Sequence, residues 1–120
     1  MKNELIHQYI TLPLAINVFR RDRNTFAHFK FGNVYQAKID SCIDQLKNDF
    51  YNLKQEMYTK HHIDLKYLGK NKNEVRYKMN REILIFSPNE LRQMTRDVMR
   101  SYLYGNKAVP FEVGNRPWTI

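Results

Sequence analysis

Arg92, Arg96 and Arg100 recur every four residues, a spacing that sets three guanidinium groups along one ridge of a helix. Lys66, Arg76 and Lys78 alternate with apolar residues, as cations do on one face of paired strands. Arg20, Arg21 and Arg23 form a third group. Cations at such intervals can track phosphates, and Arg does so with bidentate geometry. These nine residues are the candidate nucleic-acid-binding set. Nearby Tyr, Asn and Gln add the means for stacking and hydrogen bonding. The same residues also suit a solvated surface, as Arg96 beside Asp97 illustrates. No zinc-finger, RNA-recognition or helix-turn-helix signature accompanies them, so charge and spacing alone carry the expectation.

Other reactive side chains point to less. On a strand, His62 and Asp64 would face the same way, but two ligands do not make a metal site and no Cys pair supports them. Adjacent His61 and His62 fit the negative end of a helix dipole instead. No metal and no cofactor is expected. Cys42 lies beside Ile43 in a helical pattern, where a small core residue is the ordinary reading. No Gly-rich phosphate loop, Ser-His-Asp pattern or paired-carboxylate spacing is present, and no catalytic residue is assigned.

Arg23-Asn24-Thr25-Phe26-Ala27-His28 resembles the R-x4-H motif of the HEPN family of ribonuclease-like domains. The resemblance covers six residues. It implies an all-helical bundle in which His28 is an acid–base or transition-state group in RNA cleavage and Arg23 orients a phosphate.

The elements that must hold these groups are led by Asn33–Lys60. There Ile39, Ile43, Leu46, Phe50, Leu53 and Met57 keep one apolar stripe through alternating steps of four and three. Leu5, Tyr9, Leu12, Ile16 and Phe19 repeat that pattern and predict a helix over about Asn3 to Arg21, with a kink or break before Pro13. The two predict an antiparallel helical hairpin joined at Asp22–Gly32, with Phe26, Phe29 and Phe31 capping one end of the core. After Lys60 the period changes to two. Ile63, Leu65 and Tyr67, then Val75, Tyr77 and Met79, flank the turn residues Gly69–Asn73. Ile83–Phe86, a continuous apolar run that suits a strand buried on both sides, would be a third strand, so an antiparallel β-hairpin or a three-stranded sheet is expected over about 63–86. Ser87-Pro88-Asn89-Glu90 is a capping box that opens a helix at 88–104, with Leu91, Met94, Val98 and Tyr102 inward and Gly105 as its stop. The fold class expected is α+β, in one domain, with 106–120 an extended tail whose Phe111 and Trp118 are candidate partner-binding residues.

Composition narrows the partner. The chain has 120 residues, 42% hydrophobic and 27% charged, with a formal net charge of +8. The helix at 33–60 is neutral, and the cationic excess lies before and after it. Nucleic acid, an acidic protein surface or anionic lipid would answer that charge. A single Cys and no secretory pattern indicate a cytoplasmic protein, and no run is long enough to span a bilayer. Abundant Asn, Lys, Ile and Tyr fit an A/T-rich bacterial or phage genome. The expectation is a non-enzymatic binding or regulatory module. Nucleic acid is the first partner. A protein adaptor, self-associating into a homodimer through its helical hairpin, is the second, and a ribonuclease using Arg23 and His28 the third.

Overall fold

The computed structural model describes residues 2–26 and 28–108. Phe111 and Trp118 lie outside the described residues. Helix α1 (Lys2–Phe26) leads to α2 (Gly32–Glu56), which continues into a π-helical turn at Met57–His61. Strands β1 (Leu65–Lys70), β2 (Val75–Met79) and β3 (Glu82–Phe86) follow, and helix α3 (Pro88–Tyr104) closes the fold. This is the α+β order that the apolar periods predict.

The hairpin of α1 and α2 is antiparallel: Tyr9 near the start of α1 meets Phe50 late in α2, with ring centroids 5.2 Å apart. At the other end Arg23 grips Asp40 through two bonds, Nε–Oδ1 at 2.5 Å and Nη2–Oδ2 at 3.2 Å. Gln36 donates its amide to the Arg23 carbonyl at 3.1 Å. These contacts carry α1 five residues beyond Arg21, and the joint shrinks to 27–31. Phe29 and Phe31 are half exposed there, so of the three joint phenylalanines only Phe26 packs partly against the core. Pro13 does not break α1; it only removes the donor that would pair with the Tyr9 carbonyl.

Ile39, Ile43, Leu46, Leu53 and Met57 are buried, Leu46 completely, and Phe50 is covered by Tyr9. The α2 stripe therefore packs within the chain, with Phe50 partly buried. In α1 the buried residues are Ile6, Ile10, Thr11, Leu12, Ala15, Ile16 and Phe19, a broader stripe than expected because α1 touches both other helices. Helix α3 locks on α2 through Tyr102, whose hydroxyl donates to Asp49 Oδ2 at 2.5 Å. The Tyr102 carbonyl accepts from Cys42 Sγ at 3.4 Å.

The capping box forms as expected: Glu90 N–H donates to Ser87 Oγ at 3.0 Å and Ser87 N–H to Glu90 Oε1 at 2.9 Å. Gly105 ends α3 in extended rather than left-handed backbone. A side chain is excluded there by crowding, since a Cβ would stand 2.9 Å from Ser101 Cα.

The sheet is antiparallel in the order β1-β2-β3. Val75, Met79 and Phe86 are its buried residues, and Tyr77 packs edge-on to Phe86 on that inner face. Ile83 and Ile85 are 51% and 53% exposed, which corrects the expectation of a strand buried on both sides. They pair with Lys78 and Arg76 on the outer face, which no described helix covers. Between β2 and β3, Asn80 takes the left-handed conformation (φ 54°), tolerated by its short polar side chain. Its Oδ1 and N–H bond the backbone of Asp64, which ties the turn to the entry of β1.

Candidate functional site

Between α1, the inner face of β1–β2 and the first turns of α3 lies a cleft of about 760 Å³. Arg21 contributes from α1, Lys70 from β1, and Arg92 and Arg96 from α3. Among the described residues no carboxylate lines it. Leu14, Val18, Val75, Leu91 and Met99 supply its apolar surface, and Tyr67 and Tyr77 its aromatic one.

Each cation reaches the cleft for a structural reason. Arg92 and Arg96 are one turn apart, so the same face of α3 presents both. Arg92 donates to Asn89 Oδ1, which steers its guanidinium along the helix start. Arg21 has a distant, exposed counter-ion in Asp22 at 3.9 Å. Arg96 and Lys70 have no carboxylate within ion-pair distance among the described residues.

Lys70 depends on a bulge. The β1–β2 register runs Lys66 to Lys78 and Tyr67 to Tyr77, then skips Leu68 and resumes with Gly69 to Arg76 and Lys70 to Val75. Simple alternation would put Lys66, Leu68 and Lys70 on one face. The extra residue turns Lys70 over to the inner face beside buried Val75. Gly69 makes this possible with φ +133°, a region that side chains avoid.

The two tyrosines stand edge to face, with centroids 5.5 Å apart and planes at 61°. Burial pushes the Tyr77 phenol above its ordinary pKa, with the neighbouring Tyr67 adding to it, so Tyr77 is a neutral donor. Asn17 and Asn71 add amides at the rim. Asn71 Oδ1 already accepts the Asn73 and Glu74 N–H groups at 2.8 and 2.9 Å, which leaves its side-chain amide N–H groups as the donors.

The remaining candidate cations go elsewhere. Lys66 and Lys78 oppose each other on the outer sheet face with Arg76. There Lys66 is 3.8 Å from Asp64 and Arg76 bonds Glu74 at 2.7 Å. Arg100 leans toward Asp97 at 3.9 Å, near the α3 C-terminus. Arg20 is exposed on α1, outside the cleft. Arg23 is committed to Asp40. The structure thus brings together Arg21, Arg92 and Arg96 of the expected set, adds Lys70, and splits the rest over other surfaces. The Gly in the middle of β1 was the available signal for Lys70.

His28 is exposed in the α1–α2 turn, and the sheet departs from the helical bundle that the R-x4-H resemblance implies. His61 Nε2 stands 3.8 Å from Glu56, and no group of three potential metal ligands gathers among the described residues. Among those residues no helix is long and apolar enough to cross a membrane.

No curated protein and no solved structure matches the chain. A family match, however, runs through the whole hairpin, the sheet and α3: residues 1–107 fit the family described as YhjD protein, a description that states no activity. The chain belongs to the YhjD protein family.

Proposed function

We propose that the protein binds nucleic acid through the cleft between α1, the sheet and α3. One observation carries this reading: four cations from three elements line one concave site, with no carboxylate among the described residues that line it. A surface designed only for solubility intersperses both signs of charge, as the outer sheet face does with its Lys66–Asp64 and Arg76–Glu74 pairs. The buried free thiol of Cys42 supports action in a reducing compartment, the cytoplasm. The test is binding of a labelled oligonucleotide, with affinity falling steeply between about 50 and 200 mM salt. No binding at the low-salt end overturns the proposal.

A second reading is favoured by Leu68, Ile83 and Ile85, which are 50–53% exposed around the cations of the outer sheet face. That mixture suits a protein partner with an apolar centre and a polar rim. A partner complex that persists across the same salt range and is lost on Ile83→Ser would support adaptor function, and one that dissolves with added salt would oppose it.

A further inference from the structure

Resting on the nucleic-acid reading, we infer that the cleft selects single strands, taking an unpaired base against Tyr67 while its cations hold the flanking phosphates. The cleft has two chemically distinct parts. Its cations, Arg21, Lys70, Arg92 and Arg96, come from three elements, and Leu14, Val18, Leu91 and Met99 give it apolar walls. A phosphate against those walls would lose hydration without gaining a partner. A base face is the part of a nucleotide that gains there.

Tyr67 is 55% exposed although it sits on the inner side of the sheet, and its ring is braced edge-on by Tyr77. Tyr77 is itself held by Phe86 at 6.1 Å, so the aromatic pair is backed by the core. An exposed ring in a fixed position is a stacking platform, and every base offers a π-face to it once unpaired. In a duplex those faces are closed by neighbouring pairs, and only base edges and backbone are presented. Asn17 and Asn71 at the rim are the groups that meet base edges.

The experiment measures anisotropy of a labelled oligonucleotide of about ten nucleotides, within the span that one basic site covers, as a single strand and as a duplex of the same sequence. The full chain and its Tyr67→Ala and Tyr67→Phe variants are compared at about 50 mM salt. Tyr77 is left intact because it packs on Phe86. The single strand binds the natural chain more tightly than the duplex. Tyr67→Ala weakens single-strand binding by roughly 5- to 150-fold, the range of one lost base stack, and leaves the salt dependence unchanged. Tyr67→Phe retains the affinity. Equal or tighter duplex binding, or an unaffected Tyr67→Ala variant, overturns the inference while nucleic-acid binding stands. Binding of neither form overturns both.

Discussion

Replacing Arg92 and Arg96 together by alanine removes two of the four cleft cations, and the loss has a size that salt titration can read. Each phosphate neutralised on a single strand contributes about −0.7 to the slope of log affinity against log salt. Four contacts therefore give a slope of about −2.8, a loss of roughly 50-fold between 50 and 200 mM salt. Two contacts give about −1.4 and a loss of roughly sevenfold over the same range. Neither residue supports the core: both are exposed, and alanine is the better helix former. Circular dichroism and the melting temperature should match those of the natural chain, so that a changed slope reports the ligand. The matched control is Arg76→Ala with Lys78→Ala, which removes two cations from the opposite face of the sheet. An unchanged slope in the Arg92/Arg96 variant, or an equal change in the control, refutes the cleft as the site.

Gly69→Ala should cost about 1–3 kcal/mol, from backbone conformation alone, because the added Cβ meets nothing within 4 Å while φ stays at +133°; equilibrium urea unfolding measures it, and a neutral result would mean that the bulge is not needed. Leu46→Ala, at a fully buried position, should cost about 2–5 kcal/mol in the same assay, and a cost well below that range would show that α2 is not held as described. Alkali should destabilise the fold through Cys42 and Tyr102. Burial raises the Cys42 thiol above its ordinary 9.0, and burial with the Asp49 carboxylate raises the Tyr102 phenol above its ordinary 10.0. The folded chain then keeps protons that the unfolded chain releases, so stability is level below these ordinary values and falls as pH rises past them. Urea midpoints taken from pH 7.5 upward check the sign, and a midpoint that rises above pH 9.0 would contradict it.

Much of the fold was legible because its signals are local. Ser87-Pro88-Asn89-Glu90 satisfies its own backbone groups whatever surrounds it, and the box forms with both bonds in place. The stripe from Ile39 to Met57 needs only a period, and the period was unbroken. What failed was burial that depends on a neighbour. Ile83 and Ile85 have the composition of a two-sided strand, yet no described element packs on the outer face. Phe29 and Phe31 have the composition of a core cap, yet α1 runs on to Phe26 because Asp40 and Gln36 are there to hold Arg23. A side chain's hydrophobicity states what it would gain by burial; only the tertiary arrangement decides whether cover is supplied.

The candidate site shows the same division more sharply. Spacing on α3 correctly placed Arg92 and Arg96 on one face, since helical geometry fixes that relation within a single turn. It could not separate Arg100 from them: the α3 lining of the cleft stops at Met99, and Arg100 stands beyond it beside Asp97. In the sheet, parity decides everything: a one-residue slip exchanges the two faces of a strand. Lys66 and Lys70 share parity in sequence and would share a face without a bulge. The skip at Leu68 separates them, so one cation joins the outer ion pairs and the other enters the cleft. Gly69 is thus the residue through which local backbone freedom becomes charge placement. Its neighbour Tyr67, just before the skip, keeps the inner face, which puts the exposed ring and the redirected ammonium group in the same cleft.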